Sequence, residues 1–571
     1  MTVLSLGRAG RRCALGAVAT FALAALAFPT TLSAQGFPPG FRPQPFSPGN
    51  LVVSRSVYDN SAGNVTVGET LPPNCVTSTG SCVQAVNNGT YPYVFNNAPV
   101  DGSFGITSRI YLDQMTPWGR TVSTLEVPNS LDRGVGTKSN QLVTSFSSKS
   151  ELGLHLSLDG QYLTFMGYVA PVNAVDVSNS NTPGAVDDTN PVGENVYRAV
   201  ARMDRWGNFT YTETNAYSGN NGRSVILNNL SRNDLYYAAG NAGNGSTPQP
   251  TNVILGAGAQ LIYPTDAPEA VQNPPVPPTP LGSFSVTQLG DPADKVGKDD
   301  NFRGITVFNN VVYYTKGSGG NGVNTVYFID TTGTACPSGT GLPVPGAALP
   351  NQPLSYNAST VQSGLPSNMC ILAGFPTLSN KAKGANPVNF PFGLWFANAN
   401  TLYVADEGDG YTGGTDLYTH AAAQTNAGLE KWIFDSTSQT WKLAYTLTSG
   451  LNLGTPYTVG GYPTGNNLGT ATKTIPTGLP WNPATDGLRN LTGKVNRDGT
   501  VTIWAITSTV SGSGDPGADP NKLVVITDNL SNTTAAGAAK EQFSALRTAQ
   551  FAEVLRGVSF TPGTWADNDH D

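Results

Sequence analysis

The chain of 571 residues carries 38 acidic and 31 basic side chains, a formal charge of −7; only 12% of it is charged, while Gly alone supplies 65 residues. So acidic a chain excludes a protein that grips a phosphate backbone, and so little charge with so much Gly does not suit a helical cytosolic enzyme. The profile suits an extracellular β-protein with many turns.

The first element is a leader. Arg8, Arg11 and Arg12 precede an apolar run from about Ala14 to Phe28, and small residues follow up to Ala34. That order is a secretory signal peptide, with cleavage expected near Ala34, and Arg11-Arg12 faintly resembles a twin-arginine export signal. The run is shorter than the roughly 18 to 20 residues of a membrane span, and Pro29 closes it, so no stable span is expected. Cleavage takes three Arg and no acid from the formal charge of −7 and leaves −10. A secreted or periplasmic location follows.

Residues 35–48 hold Pro38, Pro39, Pro43, Pro45 and Pro48 and read as an extended lead-in. Strands are then expected at 50–57, 108–114 and 121–127, with a long Pro/Gly/Asn-rich insert at 58–106. Beyond them one phrase recurs: a small residue opens a short apolar stretch, a turn follows, then an aromatic-rich strand. Its copies open at residues 153, 224, 304, 393, 490 and 557, spaced by 67 to 97 residues. Most copies are followed by a further hairpin, such as 195–203 with 208–213, or 429–435 with 441–445.

Four antiparallel strands per unit is the grammar of a β-propeller, although a blade ordinarily takes roughly 40 to 50 residues. The excess falls in loops at 58–106, 264–300, 336–368 and 447–486. The last copy, Arg556-Gly557-Val558-Ser559-Phe560, has no partner strand after it, whereas the N-terminal strands lack a first strand. One C-terminal strand and three N-terminal strands would complete a blade and close the ring. The expectation is an all-β, six-bladed propeller in one domain over 49–563, with an acidic tail at 564–571; a degenerate unit inside one insert would make seven.

Candidate site residues follow from the same phrase. Asp300, Asp486 and Glu553 each stand three residues before Arg303, Arg489 and Arg556, and Asn220 stands likewise before Arg223. At the start of channel-lining strands these groups would cluster at the channel mouth. Guanidinium forks there would recognise a polar or anionic ligand, or form interblade salt bridges that set the ring's register. A second candidate is Asp406-Glu407-Gly408-Asp409-Gly410, where Asp406, Glu407 and Asp409 on a turn after a strand offer oxygen ligands to Ca²⁺. Of three histidines only His155 lies in a predicted channel strand.

Four cysteines remain after the leader; Cys75 with Cys82 and Cys336 with Cys370 are the economical disulfides, each tying down a loop. No nucleophile elbow, phosphate loop or zinc-protease motif occurs.

The run Pro391-Phe392-Gly393-Leu394-Trp395-Phe396, followed by Asn400-Thr401-Leu402-Tyr403-Val404-Ala405-Asp406, resembles the repeats of six-bladed propellers of the NHL and gluconolactonase-like kind. The ending Leu555-Arg556-Gly557-Val558-Ser559-Phe560-Thr561-Pro562 looks like that of many exported bacterial propellers. The resemblance covers the blade strands and none of the inserts. It implies a channel site in which gluconolactonase-like enzymes hold a divalent ion with a Glu, an Asn and an Asp; the repeats here carry Arg instead. The functional expectation is therefore an exported binding or scaffold propeller recognising a polysaccharide, an envelope component or another protein through its channel mouth and loops. The alternative is a metal-assisted hydrolase, lyase or lactonase acting on a carbohydrate-like substrate.

Overall fold

The computed structural model describes residues 45–59, 66, 68–71, 83–84, 106–129, 141–145, 152–174, 177, 181, 195–217, 221–241, 258–271, 281–283, 301–317, 322–336, 339–351, 369–378, 389–411, 413–467, 478–513 and 517–564. The leader, most of the lead-in, Cys75, Cys82, Asp300 and the acidic tail after Thr564 lie outside these residues.

Alternation drives the strands. In Thr500–Val510 the residues Val501, Ile503 and Ala505 are buried against one neighbouring sheet, and Trp504 and Ile506 against the other, so both faces of the strand are covered. Turns with the needed backbone shape end each strand: Gly499, at φ +82°, lies in the turn that leads into Thr500–Val510.

The molecule is all-β with a propeller-like arrangement of sheets; among the described residues the one α-helix is Leu417–Ala423. Four sheets stand separately. The first holds Gly222–Asn228, Leu235–Gly240, Ala259–Ile262 and Leu281–Ser283. In the second, Phe302–Phe308, Val311–Lys316, Thr325–Ile329 and Met369–Leu372 carry a parallel extra strand, Thr340–Gly341. The third runs Pro391–Asn398, Thr401–Asp406, Gly428–Asp435 and Thr440–Leu447, and the fourth Ala484–Val495, Thr500–Val510, Lys522–Asn529 and Ser544–Thr548.

The remaining long strands form one nine-stranded sheet rather than two separate blades, which corrects the expectation of six independent units. The cause is Leu142–Ser145, a buried run that the sequence reading passed over. It pairs Ser145 with Thr107 on one side and Leu142 with Val169 on the other, and so joins Thr107–Met115 to Tyr162–Val169. At the far side of this sheet the C-terminal strand Glu553–Phe560 lies antiparallel to Leu51–Val57, with Val558 opposite Val53 and Phe560 opposite Leu51.

The inner strands share one irregularity. Pairing shifts register around Ser224, at Arg303-Gly304, at Phe392-Gly393, at Arg489-Asn490 and at Arg556-Gly557. These are β-bulges, which re-aim the chain locally. Each bulge turns a small residue towards the next sheet. Gly153 N donates to Arg223 O at 2.9 Å. The hydroxyl of Thr315 accepts from Gly304 N at 2.8 Å and donates to Phe392 O, and that of Ser54 accepts from Gly557 N at 2.7 Å and donates to Leu152 O at 2.9 Å. A side-chain carbon at Gly304 would sit 2.1 Å from Phe392 O, and one at Gly557 2.3 Å from Leu152 O.

Apolar clusters fill the wedges between sheets. Tyr237, Tyr314, Phe328, Leu402 and Trp432 join the first three separate sheets, and Leu51, Val53, Trp504, Ile506 and Val558 join the fourth to the terminal strands. The disulfide Cys336–Cys370 closes a loop of sequence separation 34, which is as expected and contributes roughly 3 to 4 kcal/mol by loop entropy.

Because backbone is the obstructing atom, Gly304→Ala and Gly557→Ala should each cost about 3 kcal/mol or more in urea unfolding, whereas Gly413→Ala, with nothing within 4 Å, should stay within about 0.5 kcal/mol. Equal midpoints for all three variants would contradict the described contact between inner strands.

Candidate functional site

Of the arginines of the repeated phrase, Arg223 and Arg303 stand at the beginning of their strands and Arg489 and Arg556 mid-strand, and all are buried: Arg223 is 3% exposed, Arg303 and Arg489 5%, Arg556 3%. Two of them converge on an acid that sequence spacing did not select as their partner. Glu407 receives Arg303 Nη2 on one carboxylate oxygen at 3.4 Å and Arg489 Nε on the other at 3.2 Å. Phe392, which holds the arginine's place in its own strand, lies between them, its ring centroid 5.7 Å and 5.9 Å from the two guanidinium carbons. Arg223 donates to Phe302 O at 2.8 Å and to Asn301, and Arg556 donates to Ser56 Oγ at 3.3 Å.

Two of the acids three residues upstream, Glu553 and Asp486, go elsewhere, and Asp300 lies outside the described residues. Glu553 and Arg556 fall on opposite faces of their strand, and Glu553 accepts from Arg55 Nη1 at 2.8 Å, with Arg547 Nη2 at 3.6 Å. Successive register shifts around Leu488 turn Asp486 towards the 407–411 loop, where it accepts from Gly410 N at 3.0 Å and from Gln424.

The three acids expected to hold Ca²⁺ each take a different partner. Asp406 accepts from Phe390 N at 2.6 Å and Gly408 N at 2.9 Å, Glu407 takes the two arginines, and Asp409 Oδ2 meets His420 Nε2 at 2.6 Å. Among the described residues their oxygens do not form a cluster of metal-ligand spacing; the one such cluster is Asp330, Cys336 and Cys370, whose sulfurs are bonded to each other. Tyr411 stacks on His420 at 4.1 Å, and Tyr462 and Trp481 pack under their loops.

Burial pushes Asp406 and Asp486 up to about 7 and Glu430, beside Asp406, up to about 8.

The opposite ends of the inner strands enclose a cavity of about 870 Å³. Its wall takes His155, Ile226, Phe308, Phe396, Leu491 and Phe560 from six different strands. Trp395 lies across Gly493, where a side-chain carbon would stand 2.6 Å from the indole, so the missing side chain makes room for the ring. Phe308 and Phe396 stack at 4.5 Å, and Trp504 meets Phe560 edge-on at 5.5 Å. Trp504 Nε1 also donates to Pro117 O at 2.9 Å and so holds the turn bearing Trp118, which lines the mouth and is 84% exposed. Burial pulls His155 down to about 4, so the ring is neutral at pH 7. Among the described residues of the lining Lys494 is the one formally charged side chain, and none is Asp, Glu or Arg. The sequence placed His155 in a channel strand; Phe308, Phe396 and Phe560, in three of the six phrases, were the remaining signal for this chamber.

No family model matches the chain, and no curated protein matches it. Among solved structures it is similar to a putative 6-phosphogluconolactonase from Bacteroides uniformis, with 9% identity, 88% of this chain and 83% of that chain covered, and a TM-score of 0.32. It is also similar to extracellular domains 1–2 of Drosophila Semaphorin 1a, with 10% identity, coverages of 76% and 84%, and a TM-score of 0.25. Neither likeness bears on what the chamber takes up.

The buried acids carry a pH dependence whose sign is fixed. Their folded pKa values of about 7 and 8 exceed the ordinary carboxylate value, so the folded state binds more protons and loses stability as pH rises through them. His155 acts oppositely, since its folded value of about 4 is depressed, but its contribution is complete by about pH 6.5. The unfolding midpoint should therefore fall between pH 6.5 and 8.5, and Asp486→Asn should flatten that slope. A midpoint that holds or rises across this interval would refute the buried-acid account.

Proposed function

We propose that the protein is an exported binding protein, a closed ring of six blades whose central chamber receives a small organic ligand. The count follows when the nine-stranded sheet is taken as two blades joined by Leu142–Ser145. One blade is Glu553–Phe560 with three N-terminal strands, and the other is built on Tyr162–Val169. Support for closure comes from a circuit of close inner-strand approaches: Gly557 to Leu152, Gly153 to Arg223, Arg223 to Phe302, Gly304 to Phe392, Gly393 to Arg489, and Asn490 to Arg556. Support for export comes from the basic, apolar, small-residue order of residues 1–34, and the Cys336–Cys370 disulfide is compatible with it.

One observation carries the binding reading: a chamber walled by aromatic and aliphatic side chains interspersed with hydroxyls draws on all six inner strands, while the arginines at the other channel end are tied to Glu407, Asn301, Phe302 and Ser56. A polysaccharide or protein partner would have to be held by the outer loops. A metal-assisted hydrolase would need oxygen ligands that converge, and Asp406, Glu407 and Asp409 point to separate partners.

The test is a thermal-shift screen of small organic anions, neutral glycans and divalent cations against the wild type and Thr306→Trp, which places an indole inside the chamber. An organic compound should raise the wild-type midpoint by several degrees and leave the variant's unchanged. Stabilisation by divalent cations alone, with turnover of a lactone, would replace this reading with the hydrolase.

A further inference from the structure

Resting on the chamber as the binding site, we propose that its ligand is an amphipathic monoanion, with an apolar chain or ring system lying against the aromatic wall and one carboxylate or sulfonate at the mouth beside Lys494.

The wall selects the body of the ligand. Leu156, Leu158, Val307, Phe308, Trp395 and Phe560 line the cavity and keep part of their surface exposed, so the chamber presents hydrocarbon to water in the free protein. Apolar surface placed there is worth roughly 25 cal/mol per Å² removed from water. A hydroxyl-rich sugar would find Ser and Thr hydroxyls and the Asn496 carboxamide but, among the described lining residues, no carboxylate, and it would give up hydration wherever it faced the Leu, Val, Phe and Trp side chains.

The charge pattern selects the head group. A cation entering the chamber finds no carboxylate and meets Lys494, whose side chain is exposed at the mouth. An anion finds that ammonium where solvent still reaches it, which avoids the cost of burying an unpaired charge. His155, neutral at pH 7, adds no competing charge. A cavity of about 870 Å³ is at the large end of the range for sites that enclose one drug-sized molecule.

The experiment uses the full chain and three probes of one chain length below their micelle concentrations: decanoate, 1-decanol and decyltrimethylammonium. Isothermal titration and quenching of tryptophan fluorescence give affinity and stoichiometry. Decanoate should bind 1:1, about tenfold or more tighter than decyltrimethylammonium. Lys494→Gln should bring the affinities for decanoate and decanol together while leaving decanol unchanged, and Thr306→Trp should abolish both. Because Lys494 is exposed, its variant keeps the test independent of whether Thr306→Trp folds. Equal binding of the cationic and anionic probes would overturn the anion preference. If cellobiose bound the wild type but not Thr306→Trp while decanoate bound neither, the ligand class would be wrong and the chamber reading would stand. Binding of decanoate that survives Thr306→Trp in a folded variant would remove the chamber itself.

Discussion

The contact on which the arrangement depends is backbone against backbone between inner strands of neighbouring sheets. At Gly304, Gly393 and Gly557 the strand bulges, and a side-chain carbon there would strike the neighbour's backbone. The hydroxyls of Thr315 and Ser54 solve the accompanying hydrogen-bond problem: each accepts from its own sheet's inner strand and donates to a carbonyl of the next. Sheets brought so close at the axis must diverge outwards. Tyrosines, phenylalanines and tryptophans fill the widening gap.

Polarity divides between the two ends of the inner strands. At the bulged end the arginines are compensated by Glu407, Asn301 and a peptide carbonyl. Charge elsewhere is equally committed: Lys431, fully buried, meets Asp528 at 2.8 Å and the carbonyls of Asn529 and Asn532 at 2.9 Å, and so ties the third sheet to the fourth. Removing one partner of such a pair costs roughly 3 to 5 kcal/mol. The opposite chamber is walled instead by hydrocarbon, Ser and Thr hydroxyls, Asn496 and the neutral His155, with Lys494 as the charged residue among its described lining.

Much of the strand order was legible because alternation and turn residues are local signals. The hairpin expected at 429–435 and 441–445 is Gly428–Asp435 with Thr440–Leu447, and the last phrase lies beside Leu51–Val57 as its isolation implied. What failed depended on distance or on irregularity. Leu142–Ser145 is too short to announce itself, yet it merges two groups of strands. Glu553 and Asp486, expected to meet the arginines of the phrase at one mouth, bond to Arg55 and Arg547 and to Gly410 and Gln424, and the acid that Arg489 meets, Glu407, lies 82 residues away. The chamber takes its wall from six strands, and no single stretch of chain reveals it.

The pairing of the two termini has a consequence for biogenesis. Gly557 reaches Ser54 across 503 residues, so Leu51–Val57 waits for its neighbour until Glu553–Phe560 has been made. Until then an unpaired strand margin stays open to other chains, and a product stopped short of residue 553 would keep that margin for its lifetime. Synthesis and pairing are thereby uncoupled for this sheet, which stays incomplete while all the residues between its two strands are being made.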